Sequence, residues 1–397
     1  MTKKMVSRCV RGIAAGVVAI SLTSALAACT IEKGQDPAAQ EAQKVEEAKQ
    51  HPPTISVADG ATDVEPGVPV EVSSDAGLST VTMTNEEGKE VQAEMAPDSK
   101  TWKSTEPLGY GRTYTVEAST AEGKTATSKF TTVMPAMQTT LSVNPQENST
   151  VGIAQAINFY FDVAPADRKA VEDAIIIETS NNTEGAFFWT NGTILKWRPK
   201  EFWQPGTQVT VRADIYGKDL GGGVYGAADT GTKFTIGEDI RAVVDNATKM
   251  LTVYNNGAEV KSIPVSLGRD GGMWDTPNGI YVVGDKHPSM VMDSRTYGYS
   301  LEAGGYVTPV SYATQLSWSG IYVHAAPWAY WALGNTNQSH GCVNATYEDA
   351  QWFQEYLPQG APVEVKGTGG PTLDGTDGLG YWNISWEDWK KGSPTLQ

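Results

Sequence analysis

Three side chains in the C-terminal third of the chain have the types and spacing of a nucleophilic site. Cys342 is the only cysteine beyond residue 29, and it lies two residues after His340 and eighteen after His324. Only four histidines occur in the chain, so half of them lie within the eighteen residues before this thiol. An imidazole within reach of a thiol can take its proton, and the thiolate then attacks an amide carbonyl. The spacing therefore indicates a cysteine nucleophile with a histidine base.

Two other interpretations of these three residues stay open at this point. A solitary cysteine is commonly a small buried apolar residue, and His340 could simply bond a loop carbonyl. His324, His340 and Cys342 could also bind zinc if an Asp or Glu supplied a further ligand. We expect neither a metal nor another cofactor.

The elements around the thiol are predicted to be strands and one helix. Gly320–His324 has the pattern of a strand with His324 at its end, and earlier segments such as 242–245 and 250–254 are also strand-like. Thr346 and Asp349 form a capping pair for a helix that begins at Tyr347. Cys342 therefore lies in a loop before a helix, where backbone N–H groups can stabilise negative charge.

Two β-sandwiches are predicted upstream, because short segments of alternating apolar and polar residues are separated by glycine-containing turns. The pattern recurs after 95 residues: Trp102 and Val116 are matched by Trp197 and Val211. Lys-Phe-Thr closes each copy, at 129–131 and 233–235. We expect sandwiches over 52–135 and 137–237 that serve as spacers, a specific ligand module being the alternative. The glycine-rich stretch 219–223 predicts a turn rather than a calcium site.

The N-terminus has the pattern of an export signal. Four basic residues precede the apolar run Ile13–Leu26, which is shorter than the roughly 20 residues of a membrane-spanning helix. Leu26-Ala27-Ala28-Cys29 resembles a bacterial lipobox, so we expect a signal peptide over 1–28, lipidation of Cys29 and a tether over 29–51. An ordinary secretory signal or an uncleaved anchor is the alternative. The formal net charge of −16 argues against nucleic-acid partners.

The combined motifs resemble the L,D-transpeptidase (YkuD) family. His324, fourteen intervening residues and Ser339-His340-Gly341-Cys342-Val343-Asn344 match the signature of that family, and the likeness covers about 240–366. The lipobox, two sandwiches and tryptophan-rich tail also resemble the lipoprotein members of mycobacteria and corynebacteria that carry two Ig-like domains. The fold expected is mostly β: two tandem immunoglobulin-like β-sandwiches followed by a β-rich catalytic domain over 239–366 with a short helix.

The resemblance implies a role for each matching residue. Cys342 would be the nucleophile, His324 the general base oriented by the Ala325 carbonyl, and His340 a loop organiser and helper. We choose the N–H groups of Gly341 and Cys342 as the oxyanion hole. Residues of the pocket, and of a lid over about 288–318, would contact substrate: Met292, Tyr297, Tyr306, Ser319, Gly320, Trp328, Ser339 and Asn344. Many relatives have serine at position 325 and arginine at 344, so this chain departs from the family pattern at both positions.

The resemblance also implies the reaction and its partners. Peptidoglycan stem peptides would be donor and acceptor: Cys342 would release D-Ala from a tetrapeptide stem, and a diaminopimelate amine would resolve the thioester into a 3→3 cross-link. Carbapenem-type β-lactams would be inhibitors. The protein would be a monomer held through Cys29 on the extracytoplasmic face of the cell membrane, reaching the cell wall. An L,D-carboxypeptidase, a protein-anchoring transferase or a non-catalytic wall-binding lipoprotein remain alternatives.

The last segment, 367–397, carries Trp382, Trp386 and Trp389 at a spacing that would place the rings on one helical face. Family members fold such a tail against the catalytic domain, and we expect the same here. A sugar-binding platform is the alternative.

Overall fold

The computed structural model describes residues 51–393 together with residues 44, 46 and 47. The predicted signal peptide, Cys29 and nearly all of the predicted tether lie outside the described residues. In the described part of the chain, no helix is both long and apolar enough to cross a membrane.

The first sandwich is built from two antiparallel sheets, with strand orders β1-β2-β5-β4 and β3-β6-β7. Their alternate residues point inwards and form one apolar core that includes Val72, Trp102 and Val116. The strands are β1 (Thr54–Ile55), β2 (Glu71–Ser73), β3 (Thr80–Asn85), β4 (Ala93–Met95), β5 (Thr101–Ser104), β6 (Thr113–Ser119) and β7 (Thr125–Thr131).

The second sandwich has two four-stranded sheets, β10-β17-β15-β12 and β13-β14-β11-β9, and a small β16-β8 pair. Its core contains Trp197 and Val211, the counterparts of Trp102 and Val116, so the sequence repeat corresponds to buried positions in both sandwiches. The elements are β8 (Met137–Thr139), β9 (Leu141–Asn144), β10 (Thr150–Val151), β11 (Ile157–Phe161), α1 (Arg168–Asp173), β12 (Ile175–Thr179), β13 (Gly185–Trp189), β14 (Ile194–Pro199), β15 (Gln208–Ala213), β16 (Val224–Gly226) and β17 (Thr230–Ile236).

The third domain packs two sheets and one helix around a single core. The five-stranded sheet has the order β20-β19-β18-β26-β21, and the four-stranded sheet has the order β22-β23-β24-β25. The strands are β18 (Ile240–Asp245), β19 (Met250–Asn255), β20 (Ala258–Pro264), β21 (Gly279–Val282), β22 (Lys286–Asp293), β23 (Val307–Gln315), β24 (Tyr322–Ala325), β25 (Val343–Ala345) and β26 (Pro362–Lys366). Helix α2 is Tyr347–Tyr356, and 3-10 segments cover Ser294–Tyr297 and Pro327–Ala332.

The predicted helix cap is present as expected. Thr346 Oγ1 accepts a hydrogen bond from the N–H of Asp349 at 3.1 Å, and the same hydroxyl donates to Asp349 Oδ2 at 2.8 Å. Because this cap fixes the first turn of α2, it also fixes where β25 ends and the helix begins. The fold is mostly β, as predicted.

The tryptophans of the C-terminal tail pack on the second sandwich, a contact that was not predicted. Trp389 in α3 (Trp386–Trp389) stacks on Phe188 with ring centroids 4.6 Å apart, and its indole N–H donates to the Ala186 carbonyl. Trp382 belongs to a separate 3-10 segment, Tyr381–Asn383, so one helical face does not carry all three rings. The Arg198 guanidinium lies 4.4 to 5.5 Å from the ring centroids of Trp382, Trp386 and Trp389.

The same tail also contacts the third domain, so it bridges two domains. Asn383 Oδ1 accepts from the Ile280 N–H at 2.8 Å, and Leu379 O accepts from the Val282 N–H at 3.1 Å. Backbone pairing adds to this junction, since Ala154 N–H donates to Gly360 O at 2.9 Å. The contacts with the third domain were predicted; the contact with the second sandwich was not.

Candidate active site

The parallel pairing of β24 with β25 brings Cys342 and His324 to one cavity. His324 is the register partner of Asn344. Cys342 lies in a bend just before β25, two residues before Asn344, and it lines the same cavity as His324. Both side chains are about 4 % exposed. Along the chain, His324 and Cys342 are eighteen positions apart. The pairing of β24 with β25 brings the two segments together.

The thiol is buried and protonated. Its Sγ donates to the Gly320 carbonyl at 3.4 Å. Burial raises the pKa of Cys342 to about 12, because a thiolate loses hydration there, while the Tyr322 backbone N–H acts in the opposite direction. The resting site therefore holds a thiol rather than a thiolate.

His324 is held in one tautomer by the backbone. Its Nδ1 lies 2.9 Å from the Ala325 carbonyl oxygen. A carbonyl can only accept, so Nδ1 carries the proton and Nε2 keeps a free lone pair. Burial lowers the pKa of His324 to about 4, with the Ala325 hydrogen bond acting against it. The ring is thus neutral and can accept a proton. The predicted contact between His324 and Ala325 is present.

His340 packs as part of an aromatic wall. Its ring meets Trp274 edge-on at 4.6 Å and Tyr306 at 4.9 Å, measured between centroids. Burial lowers the pKa of His340, as does the Arg269 cation, while a hydrogen bond with the Gly304 backbone raises it. These contacts suit the predicted loop-organising role.

Two hydroxyls fix the loop that carries Cys342. Ser339 Oγ donates to the Cys342 carbonyl at 2.6 Å and accepts from the Gly341 N–H at 3.1 Å. Thr276 Oγ1 donates to the Gly341 carbonyl at 2.7 Å and accepts from the Gly268 N–H at 2.9 Å. The Gly341 N–H, predicted to serve an oxyanion, is therefore already engaged by Ser339 in this structure.

A cavity of about 250 Å³ opens above the thiol. Eight of the predicted residues line it: Met292, Tyr306, His324, Trp328, Ser339, His340, Cys342 and Asn344. Three lining residues were missed: Thr308, Val310 and Gln338. Thr308 and Val310 lie two residues apart in β23, and Tyr306 directly precedes that strand; this alternation is a signal that could have found two of them, because one face of a strand shares one surface.

Three predicted substrate residues are not among the residues that line this cavity. Tyr297 joins the apolar cluster around Cys342, and its hydroxyl lies 3.2 Å from that of Tyr322. Its ring covers Gly320, where an added Cβ would come within 2.8 Å of ring carbons. Ser319 bonds Ser317 through its hydroxyl and Asp377 through its N–H. Of these residues, Gly320 contacts the thiol directly through its carbonyl, and Tyr297 belongs to the same apolar cluster as Cys342.

Within the described residues, no three or more His, Cys, Asp and Glu side chains are grouped so that they could hold a metal ion. The arrangement instead combines a thiol, a neutral imidazole with a free nitrogen, and a cavity. Those parts can perform acyl transfer.

Comparison with known proteins decides the family. Residues 239–365 match the family model of the L,D-transpeptidase catalytic domain (YkuD), and residues 61–219 match a bacterial Ig domain. The chain is 46% identical to L,D-transpeptidase 2 of Mycobacterium tuberculosis over 345 residues, which covers 86% of this chain and 84% of that protein. The chain belongs to the L,D-transpeptidase family.

Further relatives agree with this assignment. L,D-transpeptidase 5 of Mycobacterium tuberculosis is 33% identical over 86% of this chain and 78% of its own length. A solved L,D-transpeptidase structure in complex with imipenem matches with a TM-score of 0.50 and 34% identity, over 57% of this chain and 97% of that one. This L,D-transpeptidase therefore combines the enzyme domain of its family with Ig-like domains, as the sequence predicted.

Proposed function

We propose that this L,D-transpeptidase is a cysteine acyltransferase that forms 3→3 cross-links between peptidoglycan stem peptides. The observation that carries the proposal is the position of Cys342 beside a His324 ring whose Nδ1 is held by the Ala325 carbonyl. That arrangement leaves Nε2 as the base. A non-catalytic wall-binding lipoprotein would need neither the fixed tautomer nor the cavity.

Acylation begins from the neutral pair. When the carbonyl that joins diaminopimelate to D-Ala reaches Sγ, His324 Nε2 takes the thiol proton and the S–C bond forms. The Cys342 N–H is our choice of donor to the oxyanion, because the Gly341 N–H is engaged by Ser339. His324 then returns the proton to the amine of D-Ala as the C–N bond breaks, and a thioester remains on Cys342.

Deacylation uses the same base. The side-chain amine of a second stem's diaminopimelate attacks the thioester carbonyl and gives a proton to His324. The S–C bond breaks, the proton passes to the thiolate and the new amide is the cross-link. Water in place of the amine would give an L,D-carboxypeptidase, and a protein amine would give an anchoring transferase.

The cavity residues divide this work. Tyr306, Trp328 and Met292 form its walls, while Ser339 and Asn344 supply polar contacts for the stem. Ser319 and Gly320 act as backbone supports for the thiol. Glycines 298, 304 and 305 lie in the connection between β22 and β23, which suits the predicted movable lid.

The setting of the enzyme is also proposed. Export through the signal peptide and a lipid on Cys29 would hold a monomer at the outer face of the membrane, with the two sandwiches as spacers. The free state of Cys342, the one unpaired cysteine described, supports a reactive thiol in an oxidising compartment.

The test is intact-protein mass after incubation with imipenem. We expect one covalent adduct on the parent protein and none on Cys342→Ala. A tetrapeptide stem with a diaminopimelate acceptor then decides between transfer and hydrolysis, by the mass of the product. A folded parent protein that forms no adduct and releases no D-Ala would refute the proposal.

A further inference from the structure

Exposed aromatic residues concentrate beside the mouth of the active-site cavity. Among the exposed large apolar side chains of the described residues, five are aromatic, and four of these lie within 328–347. We call them the outer aromatic patch: Trp328, Tyr330, Trp331 and Tyr347. Trp331 is 66 % exposed. Large exposed rings clustered at one place mark a recognition surface more often than scattered ones do.

The patch is continuous with the cavity through two separate segments. Trp328 lines the cavity and Trp331 follows it by three residues; Asn344 lines the cavity and Tyr347 follows it by three residues. Three residues span at most about 11 Å of chain. Both exposed rings are therefore attached close to the cavity wall.

Hydrogen bonds hold the two segments together. The Tyr330 hydroxyl accepts from the Tyr347 N–H at 2.8 Å, at the first residue of α2. The Tyr347 hydroxyl lies 3.4 Å from that of Tyr312, and their rings meet edge-on at 4.9 Å between centroids. The patch is thus a fixed surface with hydroxyl groups on it.

The chemistry of the patch fits a neutral sugar. The segment 325–333 contains no charged residue, and the helix that begins at Tyr347 carries only acidic ones, so neither segment brings a basic side chain to a polyanion. Flat rings stack on the C–H faces of a pyranose, and tyrosine hydroxyls bond its polar substituents. In a glycopeptide substrate, a sugar joined two residues before the diaminopimelate would lie about 10 Å from the attacked carbonyl. Trp331 and Tyr347 are attached within a similar length of chain from residues that line the cavity.

We infer that the outer aromatic patch binds the glycan strand to which the donor stem peptide is attached. The inference rests on the proposed function, since it assumes that a peptidoglycan stem occupies the cavity. Trp331 provides the main stacking surface and Tyr347 the second.

The experiment compares a disaccharide-tetrapeptide with the same tetrapeptide lacking sugar. We expect the kcat/KM for D-Ala release to be about tenfold higher with the disaccharide, the size typical of one aromatic stacking contact. Trp331→Ala should remove most of this preference and change kcat/KM for the free tetrapeptide by less than about twofold. Trp331→Phe should retain part of it. Met134→Ala is the control, because it truncates an exposed apolar side chain far from the site in sequence. It should leave the preference for the disaccharide unchanged.

Direct binding separates this inference from the proposed function. Calorimetry with Cys342→Ala and the peptide-free disaccharide should show binding that Trp331→Ala abolishes, even if the parent enzyme releases no D-Ala. Equal kcat/KM for both substrates, or no binding of the disaccharide, would overturn the inference. If Trp331→Ala lowers kcat/KM equally for both substrates, the patch serves the peptide and the inference is overturned. It is also overturned if the parent protein sediments as a dimer that Trp331→Ala dissociates, because the patch then binds a second copy.

Discussion

The carboxylate of Asp377 accepts a hydrogen bond from the N–H of Ser319 at 3.0 Å, although the two residues are 58 positions apart. Its other oxygen accepts from the Trp318 N–H at 2.7 Å. The next residue after Ser319 is Gly320, whose carbonyl accepts from Cys342 Sγ. The C-terminal tail thereby fixes the loop that supports the nucleophile.

Removing this charge should slow acylation while leaving the fold intact. Asp377→Asn keeps the shape but can accept well through only one oxygen, so one of the two N–H bonds is lost. We expect acylation by imipenem to slow by about tenfold, because the Gly320 carbonyl is less firmly placed. Stopped-flow acylation rates together with thermal melting measure this.

Asp374→Asn is the matched control, since Asp374 accepts from the Thr376 N–H within a turn of the same tail. It should acylate at the parent rate. If Asp377→Asn also acylates at the parent rate, Asp377 does not position the thiol.

His324 and His340 should differ in their effect on catalysis. His324→Ala removes the proposed base, and we expect kcat to fall by about 10²–10⁴-fold, the usual contribution of general base catalysis. His340→Phe keeps a ring between Trp274 and Tyr306. Because the aromatic packing is retained, we expect the fall in kcat to be at least tenfold smaller than for His324→Ala. Rates of D-Ala release decide this. A larger loss for His340→Phe would move the base to His340.

The acylation rate should be flat across neutral pH. With the pKa of His324 at about 4 and that of Cys342 at about 12, neither group titrates between about pH 5 and pH 9. The rate should fall only as His324 gains its proton near pH 4. A steep rise between pH 6 and pH 8 would show that a group of ordinary pKa controls the reaction.

The same shift has a consequence for stability. The pKa of His324 is lower in the folded state than its ordinary value of 6.5, so the unfolded chain binds the proton first as the pH falls. The stability present above pH 6.5 should therefore decline as the pH falls towards 4. In His324→Gln this loss of stability between pH 7 and pH 4.5 should be smaller than in the parent protein. Melting temperatures at the two pH values measure it, and equal losses in both proteins would contradict the lowered pKa of His324.

Trp389 should matter for stability more than the other tail tryptophans. Its side chain is fully buried and stacks on Phe188 of the second sandwich. Trp389→Ala should cost about 3–5 kcal/mol at this junction, the usual cost of removing a buried tryptophan. Trp386 is only half-buried, so Trp386→Ala should lower the free energy of unfolding by less. Denaturant titrations of both variants measure the difference, and equal small losses would mean that the tail docks weakly.

Much of the third domain could be predicted from local patterns. Strands β18 and β19 follow the segments predicted to be strands, and their ends differ from the predicted ones by at most two residues. The cap at Thr346 was visible because capping depends on residues three apart. The hydrogen bond from the Gly341 N–H to Ser339 was not predicted, because it depends on how the loop closes.

By itself, the sequence determined the mostly β fold and the family and predicted the candidate nucleophile and base, because each depends on residue type and short spacing. Only the tertiary structure decided that the tail tryptophans pack on the second sandwich, that Asp377 supports the loop before Gly320, and that burial keeps Cys342 and His324 neutral. Those features depend on contacts between residues far apart in the chain and on the loss of water around them. The spacing of residues along the chain does not indicate these contacts or the loss of water.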